Sequence, residues 1–319
     1  MTTFEDRGGT PGRRPVSLAA TSPRFGERIV IAGMWICAAI SILTTVGVMA
    51  ILFGEAVAFF RNDGITVGGF LTGGEWRPFG GAEHGRFGVL PLVAGTLLVT
   101  AIAVIVAVPL GLASAAYMSE YAPTRVRAFL KPTLEVLAGV PTVVLGYFAL
   151  TFLTPLLRGT VGQVIDVSIF NAASAGIVMG IMIVPTVASL SEDAMSAVPT
   201  ALREGAYGLG SSQRHVVTRV VMPAALSGIV AAIILGLGRA IGETMIVALA
   251  AGNLPSMSLN PFGQIQAMTA YIVQAVQGEA PRGSLTYQSI FAVGALLFVM
   301  TLALNLVAAR FVRRHREAY

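Results

Sequence analysis

Six apolar runs separated by polar stretches set the pattern of this chain. They lie at approximately 29–60, 89–119, 132–157, 172–191, 223–252 and 290–309. Each reaches the roughly 20 residues that carry a helix across a bilayer, whereas the strands of a membrane barrel alternate over about 10. The pattern therefore predicts an all-α integral membrane protein with six transmembrane helices. The first, second and fifth runs exceed the minimum span, so tilt or extension into the interface is expected there. Pro109, Pro141 and Pro185 fall inside runs and predict kinks, because proline lacks the amide hydrogen that a helix interior uses. Among the polar stretches, 62–88 is glycine-rich and expected to be irregular. The longer 253–289 stretch includes 268–277, which can form a short helix. Residues 192–222 are polar yet keep a helical period, unlike a simple turn between spans.

Composition agrees with a membrane protein and adds orientation. Apolar residues make up 55% of the 319 and charged residues 12%, where a soluble domain carries about 25%. The mean hydropathy is +0.77. Arg7, Arg13, Arg14, Arg24 and Arg28 precede the first run. Arg125, Arg127 and Lys131 follow the second, Arg203, Arg214 and Arg219 the fourth, and Arg310, Arg313, Arg314 and Arg316 the sixth. The alternate segments hold only Arg61, Arg77, Arg86, Arg158 and Arg282, so the tally is fifteen against five. Short cytoplasmic loops carry the excess of Lys and Arg, which puts both termini and the 192–222 segment in the cytoplasm. The net charge of +5 is mostly this topological signal. Residues 1–28 are expected to be a mobile cytoplasmic arm. The run after them is too long for a signal-peptide core and reads as an uncleaved anchor, so 29–319 form one membrane domain.

Several chemistries are excluded. Cys37 is the only cysteine and cannot form an internal disulfide, and His84, His215 and His315 lack metal-ligand spacing. A phosphate-cradling loop needs Gly-Lys-Ser/Thr, yet the only lysine, Lys131, stands between Leu130 and Pro132. No nucleophile–base pair stands out, so the chain does not read as an enzyme. Transport driven by ATP would need a separate ATPase subunit.

Within the cytoplasmic segment, Pro199 and Thr200 suit a helix start, and Leu202, Ala206 and Leu209 fall on one stripe. Gly208 or Gly210 can end that helix in the left-handed conformation. Ser211 or Ser212 can cap a second helix running towards Pro223. A purely interfacial amphipathic loop is the plainer alternative.

The fifth run contains two buried-looking charges, Arg239 and Glu243, each costing roughly 2.5–3.5 kcal/mol at the centre of a span. On a continuous helix they would share a face and could pair. Gly228, Ala232, Gly236 and Ala240 form a small-residue ladder that lets another helix approach. Two readings stand side by side: a structural ion pair, or an anion-selective element whose guanidinium matches two oxygens of an oxyanion. Glu135, four residues after Lys131, reads either as a carboxylate at the cytoplasmic interface near that lysine or as a gating group.

The spacing of Glu204, Ala206, Gly210 and Pro223 resembles the cytoplasmic signature of ABC importer permeases: Glu-Ala-Ala, three residues, Gly, nine residues, Ile-x-Leu-Pro. Gly205, Val220 and Met222 depart from it by small changes. Leu237-Gly238-Arg239-Ala240-Ile241-Gly242-Glu243-Thr244-Met245 is similar to a segment of PstC-type permeases of the phosphate-specific ABC importer. So are Met268-Thr269-Ala270-Tyr271-Ile272, Leu137-Ala138-Gly139-Val140-Pro141, Ser119-Glu120-Tyr121-Ala122-Pro123 and the block at 283–294. The resemblance covers most of residues 90–315 and is poor in the arm and the first loop. A related Arg–Glu segment occurs in the sister PstA-type permease, so the 268–272 and 283–294 blocks carry the PstC likeness.

That resemblance implies a type I ABC importer (MetI-like) permease fold in a bacterial cytoplasmic membrane. It implies ATPase coupling by Glu204, Ala206, Gly210 and Pro223 in the 192–222 segment, and a part for Arg239 and Glu243 in phosphate passage. The implied partners are a PstA-like permease, a PstB-like ATPase dimer carrying ATP and Mg, and a PstS-like phosphate-binding protein. The chain itself would need no cofactor and would contact no nucleic acid. Other oxyanions such as molybdate or sulfate remain alternatives, as does an ATP-independent secondary anion transporter.

Overall fold

The computed structural model describes residues 25–79, 85–278 and 280–314. The arm expected at 1–28 falls outside these residues up to 24, as do His84 and His315. The chain divides into two units, residues 1–50 and 51–319. In the first, the described residues are the opening stretch of helix α1, Phe25–Phe60, which continues into the second. Thr44 and Thr45 there return their hydroxyls to the Ser41 carbonyl at 3.0 and 2.8 Å, so these two polar groups are satisfied within the helix.

The second unit is built around two long helices, α3 (Leu90–Ala116) and α6 (Ala172–Ser196). Between α1 and α3 lies α2 (Val67–Thr72), followed by a two-stranded hairpin of β1 (Trp76–Arg77) and β2 (Arg86–Phe87) in antiparallel register. The remaining helices are α4 (Thr124–Ala138), α5 (Thr142–Gln163), α7 (Thr200–Gly208), α8 (Gln213–Ala224), α9 (Leu226–Ile241), α10 (Met245–Ala250), α11 (Met268–Gln277) and α12 (Leu285–Arg314). Among the described residues, five helices (α1, α3, α5, α6 and α12) are long and apolar enough to cross a membrane, or six spans if α8 and α9 count as one broken span.

The core forms where small residues let helices close on one another. A Cβ on Gly180 would stand 2.7 Å from Val106 and 2.9 Å from the Ala103 carbonyl, so α6 touches the α3 backbone there. A Cβ on Gly236 of α9 would stand 2.8 Å from Ile183 of α6, and one on Gly228 would meet Ala194. The predicted ladder thus packs on α6. Where association gains nothing from expelling water, such close backbone approach supplies the van der Waals contact that holds helices together.

Two expected spans are broken. The run at 132–157 is not one helix: its first residues belong to α4, and α5 begins only at Thr142. Pro141 stands at the N-cap of α5, with φ −58° and ψ 131°, instead of inside a helix. A proline biases the residue before it away from the helical region, so the chain leaves α4 at Gly139 and restarts. Pro109 and Pro185 do lie inside α3 and α6. The run at 223–252 is interrupted twice. α8 and α9 meet at 72°, and Gly242–Thr244 separate α9 from α10.

The described part of the first loop, 62–79 and 85–88, is more ordered than its glycines suggest. Thr66 caps α2 by accepting the Gly69 amide at 3.0 Å. Phe59, Phe60, Phe70, Trp76 and Phe87 then meet edge to face at 5.2–6.2 Å between centroids, with Tyr271 of α11 4.8 Å from Trp76. Tyr271 is fully buried and shares a 2.6 Å hydrogen bond with Ser289. Burial pushes its phenol up to about 12.

Candidate functional site

α7 and α8 form the helix–glycine–helix that the sequence predicts at the end of α6. Pro199 is the N-cap of α7, which ends at Gly208, and Gly210 takes φ +78°, a conformation that favours glycine. Ser212 precedes α8 as its N-cap, without a side-chain capping bond. The expected apolar stripe is mostly turned outward. Ala206 packs against buried Val216 and Val221, but Leu209 is 89% exposed and Leu202 and Tyr207 are exposed beside it. Glu204, Gly210 and Pro223 are exposed too. The segment offers a carboxylate, a tight turn and large apolar side chains on one free surface. Exposed apolar side chains grouped in this way are what another surface can cover.

Arg239 and Glu243 are close in sequence but do not pair. The i,i+4 geometry fails because α9 ends at Ile241. Arg239 is half-buried, and its Nη1 donates to Thr186 Oγ1 on α6 at 3.3 Å, one residue beyond Pro185. Glu243 is buried and points the other way along the chain. Its Oε1 accepts the amides of Met245 and Ile246 at 3.0 and 3.3 Å, capping α10 where the helix dipole favours an anion. Its carbonyl accepts the Thr269 hydroxyl at 2.7 Å, so α11 is tied to the same break. Thr96, Thr100 and Thr269 line a crevice beside Glu243 with no room for a water molecule, and the buried Thr100 hydroxyl has no partner. The break is therefore a polar junction of α3, α9, α10 and α11. The Arg239 guanidinium is left with no carboxylate.

Glu135 is exposed on α4 and does not meet Lys131. Lys131 instead reaches Glu192 at 2.9 Å and Asp193 at 2.6 Å on α6. The hydrogen bonds it donates to these carboxylates, Asp193 first, raise the lysine above its ordinary pKa. Arg127 also contacts Glu192, whose side chain is wholly buried. One acid thus holds two cations spaced four residues apart on α4. Sequence reasoning passed over Glu192 because it sits at the end of an apolar run. The matched spacing of Arg127 and Lys131 was the available signal.

Glu120 also needs an account that the sequence did not demand. It lies in a wide π turn, Tyr117–Tyr121, that extends α3, and it binds Arg203 of α7 at 2.9 Å.

Comparison with known proteins agrees with this architecture. The family described as binding-protein-dependent transport system inner membrane component matches residues 107–317. "Probable ABC transporter permease protein YqgH" of Bacillus subtilis is 33% identical, over 92% of this chain and 91% of that protein. "Phosphate transport system permease protein PstC 1" of Mycobacterium tuberculosis is 35% identical over 82% and 85%, and PstC of Mesorhizobium japonicum is 33% identical over 84% and 86%. Among solved structures, a bacterial ABC transporter that imports alginate superposes with a TM-score of 0.60 at 16% identity, covering 90% of this chain and 98% of the other. The MetNI methionine ABC transporter in an inward-facing conformation gives 0.53 at 18%, over 72% and 94%. The fold is that of a MetI-like, type I ABC importer permease. With more than half of its residues inside the family match, the chain belongs to the binding-protein-dependent transport system inner membrane component family.

Proposed function

We propose that this chain is the membrane-spanning subunit of an ATP-driven importer of inorganic phosphate. The observation that carries the cargo is Arg239. It is a half-buried guanidinium beside the break of a membrane helix, bonded to a neutral hydroxyl and left without a carboxylate. A charge within a spanning segment is expensive unless it serves a path. A planar fork of donors suits a tetrahedral oxyanion, because two of its oxygens can be held at once. The PstC relatives, which include a chain 35% identical to this one, support phosphate as that oxyanion.

Glu243 then acts at a distance from the anion. By capping α10 it fixes the break open and keeps its own negative charge off the guanidinium. Energy enters at the other end. Glu204, Ala206, Gly210 and Pro223 belong to the surface that docks an ATPase dimer, and Mg-ATP is bound and hydrolysed there, not on this chain. ATP-driven closure of that dimer moves α7 and α8 and switches access to the Arg239 path. A second permease of the PstA type completes the enclosure, and a phosphate-binding protein delivers cargo to the opposite face. Both termini lie in the cytoplasm under this reading, and the alternatives without an ATPase lose the purpose of the exposed 200–224 surface. Glu135, exposed on α4, stays a candidate gating group in it.

The test is phosphate uptake by the reconstituted complex, wild type against Arg239→Gln, with molybdate and sulfate as competitors. Uptake should fall at least tenfold in the variant while the complex still assembles, and neither competitor should displace phosphate. Equal uptake in both, with assembly intact, would remove Arg239 from the path.

A further inference from the structure

The polar attachment of α7 to the rest of the chain runs through Arg203. Its Nε and Nη2 donate to the Glu120 carboxylate at 3.2 and 2.9 Å. Nη2 also donates to the Met195 carbonyl at 2.8 Å, and Nη1 donates to the carbonyl of Val198. Those carbonyls close α6 and the link after it, where a helix leaves its last acceptors open and a cation is favoured. From the other side of the glycine turn, Gln213 of α8 donates to the Glu120 carbonyl at 2.6 Å. The side chains of the pair are 16% and 6% exposed, so solvent screens it little.

The location matters as much as the strength. Glu120 sits in the π turn that ends the α3 span, and Met195 sits in the last turn of α6. α3 and α6 are the two helices locked together at Gly176 and Gly180, and α6 carries Thr186, the partner of Arg239. Arg203 thus ties α7 to both core helices through one planar fork, beside the packing of Ala206 and the bond from Gln213. Wide π turns are places where a helix can give, and a second one, Val217–Val221, lies within α8. The strut is stiff, and its Glu120 end is set in such a turn.

We infer that the Arg203–Glu120 pair is the strut that carries motion of the docking segment into α3 and α6, with Arg203 and Glu120 acting as positioning residues for transport. This rests on the ATP-driven reading above. The experiment uses the assembled complex in lipid nanodiscs and proteoliposomes. It compares wild type with Glu120→Ala, Glu120→Gln and Arg203→Lys in two readouts. The first is hydrogen exchange with and without a non-hydrolysable ATP analogue, followed at 117–121 and at 200–210. The second is phosphate moved per ATP hydrolysed.

In wild type, nucleotide should change exchange at both segments together. In Glu120→Ala and Glu120→Gln the change at 200–210 should persist, the change at 117–121 should vanish, and phosphate per ATP should fall at least tenfold. Arg203→Lys keeps the charge but cannot reach a carboxylate and two carbonyls at once, so its loss should be intermediate. Exchange at 117–121 that still responds fully in both Glu120 variants, with wild-type uptake per ATP, overturns the strut. Loss of assembly in both variants beside a fully coupled Arg203→Lys also overturns it, because the pair would then serve folding alone. Absence of phosphate uptake by the wild-type complex would instead defeat the cargo reading, while the exchange readout would still decide on the strut.

Discussion

If Arg239 and Glu243 are independent, a double-mutant cycle between them should be additive. Their partners in the structure set the magnitudes. Arg239→Gln removes one bond to the Thr186 hydroxyl, about 0.5–1.5 kcal/mol. It also relieves a charge whose cost within a span is roughly 2.5–3.5 kcal/mol on insertion scales. The variant should thus be more stable than wild type by about 1–3 kcal/mol, although transport is lost. Glu243→Ala deletes an anion that accepts two amides at the start of α10 and should cost about 1–2 kcal/mol. Because the two residues share no partner, the double variant should equal the sum of the singles within about 0.5 kcal/mol. The assay is thermal unfolding of the purified complex in nanodiscs, with phosphate uptake measured on the same preparations. A buried ion pair behaves in the opposite way: removing either partner costs about 3–5 kcal/mol and removing the second costs little more. An interaction energy above about 1.5 kcal/mol, or clear destabilisation by Arg239→Gln, would refute the separation of their roles.

Glu204→Lys should leave membrane insertion and thermal stability unchanged, since the residue is exposed, and should abolish co-purification of the ATPase subunit. Gly180→Val places a side chain where a Cβ already stands 2.7 Å from Val106; it should destabilise the α3–α6 contact by about 1–3 kcal/mol, read as a lower unfolding temperature. Tyr271 should be missing from an ultraviolet phenolate titration near pH 10 and should appear only towards pH 12. Subtracting the Tyr271→Phe curve isolates it. Burial raises the pKa of this acid, so its contribution to stability holds below pH 10, the unfolded value, and is lost as pH rises towards 12.

What could be read from the chain, and what could not, separates by the range of the interaction. The helical membrane class, the small-residue ladder on α9 and the helix–glycine–helix at 200–224 follow from local pattern. Apolar run length, glycine spacing and a left-handed turn at Gly210 are properties of neighbouring residues, and folding does not revise them. The break of the third run was also local, but proline was read as a kink inside a helix instead of as the start of a new one. The long-range polar partners were not legible. Arg239 and Glu243 pair well on a drawn helix, and only the end of α9 at Ile241 sends them to Thr186 and to the amides of α10. Likewise Lys131 passes over Glu135, four residues away, for Glu192 and Asp193, about sixty residues on.

By itself, then, the sequence determined that the chain is a bundle of membrane helices with an exposed, organised segment between two of them. That was possible because bilayer thickness and backbone hydrogen bonding act on each run separately. Only the tertiary structure decided which charges meet. A charged side chain in a low-dielectric interior takes whatever partner the packing brings within about 3 Å, and the packing is set by helices far apart in the chain. That is how Arg203 came to rest on Glu120, and how Arg239 was left without a counter-charge.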